Sequence, residues 1–68
     1  KVGSVVMFMN LESRYAKWFY GHIGIVENHN QGKRSCRIRW IQPVPYHGMV
    51  ATVSDFHEKN FEVFNGIR

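Results

Sequence analysis

Residues 36–40, Cys36-Arg37-Ile38-Arg39-Trp40, alternate apolar and charged side chains without a break. A strict period of two is the pattern of a strand with one face in a core and the other in water. Cys36, Ile38 and Trp40 are therefore expected inward, and Arg37 and Arg39 outward. Upstream, Gly21-His22-Ile23-Gly24-Ile25-Val26 is a second run suited to a strand, and Asn28-His29-Asn30-Gln31-Gly32 between the two is rich in turn formers. The two runs are expected to form a hairpin. Setting Ile25 against Cys36, Ile23 against Ile38 and Gly21 against Trp40 gathers the apolar residues on one side. Val26 then faces Ser35, Gly24 faces Arg37 and His22 faces Arg39 on the other. A one-residue slip would oppose isoleucines to arginines and turn the apolar set to water.

Outward from this hairpin the chain reads as all-β. Apolar residues do not recur with helical spacing over any long window, and β-branched and aromatic residues fill the apolar runs. Strands are expected over residues 3–9, 18–27, 34–41, 49–53 and 61–64. A polar loop spans 10–17, a stiff loop with Pro43 and Pro45 spans 42–48, and residues 54–59 hold one helical turn with Ser54 or Asp55 as its cap. Five short strands in so small a chain are expected to close into an SH3-like barrel, because closure removes exposed strand edges. No internal repeat, linker or low-complexity tract interrupts the chain.

The 68 residues allow one domain, and a chain of this size buries only about 60% of its unfolded surface. Ten aromatics, among them Trp18 and Trp40, and a 44% apolar content are enough for a fold without staples. Cys36 is the sole cysteine, so no internal disulfide forms, and a reducing, intracellular compartment is expected, cytoplasm or nucleus. The longest apolar run, Val5 to Met9, is far short of the roughly 20 residues of a membrane span and has no signal-peptide cleavage features. The chain begins at Lys1 rather than at a methionine, as a processed or trimmed piece of a longer protein would.

Charge is unevenly placed. Residues 10–41 carry six basic side chains, Arg14, Lys17, Lys33, Arg34, Arg37 and Arg39, against Glu12 and Glu27, whereas residues 42–68 are net acidic by one. A basic stretch of this kind is the electrostatic footprint of a nucleic-acid surface. Arginine offers a planar fork of donors suited to phosphate, and each phosphate neutralised releases counterions. The expected interface is Lys33, Arg34, Arg37 and Arg39 on the hairpin, with His22 beside them and Arg14 and Lys17 added from the preceding loop. The simpler account is that outward charges keep a strand soluble and discourage edge pairing. Trp18, Tyr20 and Tyr46 are a candidate aromatic platform, for unpaired bases or, as a cage, for a methylated cation. The simpler account there is that Trp18 and Tyr20 cover one end of the barrel under the long loop.

The segment Gly21-His22-Ile23-Gly24-Ile25-Val26 resembles the core of a KOW motif, two glycines three apart followed by a valine on a strand. The wider order, Val2-Gly3-Ser4-Val5-Val6, then Trp18-Phe19-Tyr20-Gly21, then residues 32–40, is similar to a Tudor domain. The resemblance covers residues 2–53. It departs from KOW in the insertion 10–17, and from Tudor in having Gln42-Pro43 where an aspartate-tyrosine-glycine is usual. It implies an SH3-like barrel working in transcription, chromatin or ribosomal machinery.

The four histidines and Cys36 show no metal-ligand spacing, and neither metal nor cofactor is expected. The carboxylates form no pair with a base, no serine has an activating context, and no glycine loop cradles a phosphate. Small barrels of related shape include toxin ribonucleases, for which Arg37, His22 and a carboxylate would be the cleaving groups. The expected function is nevertheless non-enzymatic: a monomeric module that binds nucleic acid, duplex DNA before RNA, with little sequence preference. The alternative is a protein-interaction module, such as a methylated-tail reader built on Trp18, Tyr20 and Tyr46.

Overall fold

A computed structural model describes residues 2–64; Lys1 and residues 65–68, Arg68 among them, lie outside the described residues. The elements run β1 (Val5–Phe8), α1 (Ala16–Phe19), β2 (Ile23–Asn30), β3 (Ser35–Tyr46), β4 (Met49–His57), a 3₁₀ turn (Glu58–Asn60) and β5 (Phe61–Val63). The strands make one antiparallel sheet in the order β4-β3-β2-β1-β5. Among the described residues no ladder joins β4 to β5, so the sheet is open. It is nonetheless strongly coiled: Phe56 of β4 meets Phe8 of β1 edge to face at 5.2 Å, although β3 and β2 lie between those strands in the ladder.

The concave side holds the core, Val6, Phe8, Phe19, Val26, Cys36, Ile38, Trp40 and Val44. Cys36, Ile38 and Trp40 point inward and Arg37 and Arg39 outward, as the alternation over 36–40 requires. Phe19 of α1 closes the open side. Its ring stacks on Trp40 at 5.2 Å and meets Phe56 at 5.1 Å and Phe8 at 6.1 Å.

The second strand differs from its expectation. Residues 18–22 are not part of the strand, because the chain makes one helical turn first. The Asn10 side chain accepts from the Glu12 amide and the Ser13 hydroxyl from the Tyr15 amide, two local bonds that favour a turn over a strand. Gly21 ends the turn at φ +82°, in the left-handed region where helices commonly stop at glycine. Its amide then bonds the Phe8 carbonyl at 2.8 Å, anchoring the turn to β1.

The register of the hairpin differs as well. Gly24 pairs Trp40, Ile25 pairs Arg39 and Val26 pairs Ile38; beyond a bulge at Glu27, Asn28 pairs Arg37, His29 pairs Cys36 and Asn30 pairs Ser35. None of the six expected pairs forms. Ile25, expected inside, is 39% exposed, and Val26 and Gly24 take the core face. The reason is volume. A Cβ at Gly24 would lie 2.3 Å from Ile38 Cγ2 and 2.9 Å from the Arg39 carbonyl oxygen, so residue 24 is the place where only glycine admits its neighbours on β3. A glycine does make room opposite Trp40, but it is Gly24 rather than Gly21.

The expected stiff loop over 42–48 is mostly strand. β3 runs on to Tyr46, with Val44 paired to Ala51 and Tyr46 to Met49. Pro43 and Pro45 are tolerated because β2 pairs β3 only as far as Trp40, leaving that side of the strand without a partner that needs their missing amides. The turn shrinks to His47 and Gly48, at φ +53° and +74°. β4 correspondingly reaches His57, and the helical turn falls at Glu58–Asn60 with His57 as its cap, its Nδ1 accepting from the Lys59 amide at 3.0 Å.

Candidate nucleic-acid interface

The outward side chains of β3 stand where their alternation puts them, but the neighbouring strands bring carboxylates to meet them. Arg37 Nε donates to Asp55 Oδ1 at 3.0 Å and its Nη2 to Oδ2 at 3.4 Å, because Arg37 and Asp55 are paired residues on β3 and β4. That hydrogen bond also raises the already high Arg37 pKa. Arg39 Nε pairs with Glu27, which the bulge in β2 leaves on the outer face. Arg34 Nε donates to Glu58 Oε2 at 2.8 Å, and His29 Nε2 lies 2.8 Å from the other oxygen of the same carboxylate. The two bonds hold the Glu58 carboxyl below its ordinary pKa of 4.5, the His29 contact contributing most.

This face therefore carries four cations, Lys33, Arg34, Arg37 and Arg39, against three carboxylates, Glu27, Asp55 and Glu58. Two of the three carboxylates come from the acidic end of the chain. Among the described residues Lys33 has no ion-pair partner, and it lines a shallow polar groove of about 700 Å³ with Asn28, Asn30 and Arg37. His22, expected on the same face, is half-buried near the other end of β2, its ring centroid 6.4 Å from that of Trp40. It does not join the arginines.

A second cluster forms at the end of the sheet opposite the β2–β3 turn. The loop before α1 carries Arg14 and Tyr15, α1 carries Lys17 and Trp18, and the β3–β4 turn carries Tyr46 and His47. Trp18 meets Tyr46 edge to face at 4.9 Å and His47 at 4.6 Å, and Tyr15 lies 6.0 Å from Tyr46. Partial burial raises the Tyr46 pKa, with the Tyr15 hydroxyl adding to the effect. Two cations lie on these rings: Lys17 Nζ is 4.5 Å from the Trp18 centroid, and the Arg14 guanidinium carbon 5.5 Å from that of Tyr15. Together the six residues line a cleft of about 310 Å³.

Trp18 and Tyr46 thus come together as a platform requires, while Tyr20 stands apart, exposed just beyond the end of α1. His47 and Tyr15 take the places in the cluster for which Tyr20 was the expected third ring. The His47-Gly48 dipeptide is a two-residue turn signal between strands, and reading it so would have set His47 beside Tyr46 at a hairpin tip.

Among the described residues no three of His, Cys, Asp and Glu converge as metal ligands, and no helix is long and apolar enough to cross a membrane. Cys36 is buried, and burial pushes its thiol pKa up, so it behaves as a small apolar side chain. No protein-family model, no curated protein and no solved structure matches this chain.

Proposed function

We propose that this chain is a nucleic-acid-binding module of the SH3-like barrel type, related in kind to KOW and Tudor domains, that follows the backbone of duplex DNA. The strand order, with β1 paired to both β2 and β5, and the contact of Phe56 with Phe8 support the barrel reading. The observation that carries the function is the exposure of Lys33, Arg34, Arg37 and Arg39 along one strand and the turn that leads into it. The carboxylate partners of the three arginines are themselves exposed or half-exposed, so these ion pairs are weak and salt-screened, and a phosphate can replace a carboxylate on the guanidinium fork. Binding of this kind positions a backbone without reading bases, and it falls steeply with ionic strength. The setting that fits is transcription, chromatin or ribosomal machinery.

The test is the double substitution Arg37→Glu, Arg39→Glu in a low-salt gel shift with random duplex DNA. Both positions point to water, and although each new glutamate faces a carboxylate, Asp55 or Glu27, repulsion between such exposed groups costs little, so the fold persists while retention is lost. Undiminished retention by the folded double variant would overturn the proposal.

The convergence of Trp18 with Tyr46 favours a second reading, a reader of methylated tails. Arg14 and Lys17 already on the rings set like charge against it. A methylated peptide held in an aromatic cage would bind with little salt dependence, whereas duplex binding depends strongly on salt.

A further inference from the structure

From the cleft between α1 and the β3–β4 turn we infer a second binding element: it takes an unpaired base of single-stranded nucleic acid, stacked on Trp18, with Arg14 and Lys17 on the flanking phosphates. The inference rests on the nucleic-acid reading and deepens it, because the hairpin face addresses a backbone and this cleft addresses a base.

Three features of the cleft select this ligand. Its walls are aromatic, and a nucleobase stacks on any aromatic face regardless of its identity. Its rim is cationic, since neither Arg14 nor Lys17 has an ion-pair partner among the described residues, in contrast to the arginines of the hairpin. A ligand that is flat and aromatic at its centre and anionic at its edge matches both. A methylated ammonium matches the rings but meets two like charges.

The third feature is the position of Lys17. Its ammonium rests on a face of Trp18 at 4.5 Å, so that face is reached from solvent by a flexible, exposed side chain. An arriving base replaces the ammonium on the indole, and the ammonium moves to the adjoining phosphate. Stacking of a base outweighs an exposed cation–ring contact, so the exchange is favourable. A duplex keeps its base faces stacked inside the helix and so has none to lay on the indole, against which Tyr46 and His47 already stand.

The experiment titrates the intact chain with a deoxyuridine oligonucleotide, a uridine oligonucleotide, a duplex of equal length and a trimethyl-lysine peptide, following tryptophan emission. Trp40 is 4% exposed and offers no face for stacking, so quenching that disappears in Trp18→Ala is assigned to Trp18. Single strands quench emission, and Trp18→Ala weakens their binding about 10-fold or more while duplex affinity changes little. Because Trp18 also packs against the core, Lys17→Glu on the exposed side of α1 serves as a second variant, and it weakens single-strand binding in the same way. The tighter of the two single strands identifies the sugar the site accepts. Duplex binding without single-strand quenching overturns this inference and leaves the proposed function standing. Peptide binding at the cleft in place of single strands overturns it as well. Binding of no nucleic acid at all overturns both.

Discussion

Gly24 lies beneath Trp40, and the absence of a side chain there lets β2 and β3 close on each other around the indole. The space is taken from two directions, by the fully buried Ile38 and by the backbone of Arg39, neither of which can retreat cheaply. Gly24→Ala should therefore destabilise the fold by about 2 kcal/mol or more through overpacking. In a domain of this size that is a fall in melting temperature of roughly 10 °C, read by thermal unfolding in circular dichroism. An unchanged melting temperature would refute the account. The inward set of β3 was legible from period alone, since Cys36, Ile38 and Trp40 alternate with charges. Its partners were not. Counting isoleucines favoured Ile23 and Ile25 as inward residues, whereas the volume around Trp40 decided for Gly24 and Val26.

The β3–β4 hairpin is the element on which the second cluster depends, because its two-residue turn aims Tyr46 and His47 at α1. Both turn residues have positive φ, the backbone of a type I′ turn, in which Asn-Gly is preferred and a β-branched residue is strained. His47→Asn should leave the melting temperature equal or higher, and His47→Val should cost about 1–2 kcal/mol. Equal stability of the valine variant in the same thermal scan would show that the turn does not hold residue 47 left-handed. The prolines hid this hairpin in the sequence, because a central strand excludes proline whereas a strand whose neighbour has ended does not. α1 was hidden for a related reason. Trp18-Phe19-Tyr20 has strand-forming residues, and only the turn bonds of Asn10 and Ser13 and the stop at Gly21 make it helical.

Across the whole molecule, Glu58 is the pin between the tip of the β2–β3 hairpin and the turn that leads to β5. Its side chain holds His29 and Arg34, and its amide bonds the Arg34 carbonyl at 2.8 Å. The folded pKa of its carboxyl is depressed, so its contribution to stability is present in full above the ordinary value of 4.5 and is lost as pH falls through the lower folded value. Denaturant titrations from pH 7 down to about 3 should show an acid loss that Glu58→Gln reduces, the variant being less stable at neutral pH and converging on the parent in acid. Parallel curves would rule out this role. The same long-range pairing changed the electrostatic picture of the chain. A segment of net +4 in sequence becomes a face on which Glu58 and Asp55 from the acidic end, with Glu27, oppose all but one of the cations, while the rim of Arg14 and Lys17 keeps its charge unopposed among the described residues. The sequence by itself determined the β character, the inward set of β3, the outward arginines and the burial of Cys36, because side-chain alternation is a local property of an extended chain. Tertiary structure alone decided the register, the identity of the glycine under Trp40, the carboxylate facing each arginine and the meeting of Trp18 with Tyr46 and His47. Each of those depends on which strand lies beside which and at what offset, and volume and turn geometry set that offset across the sheet.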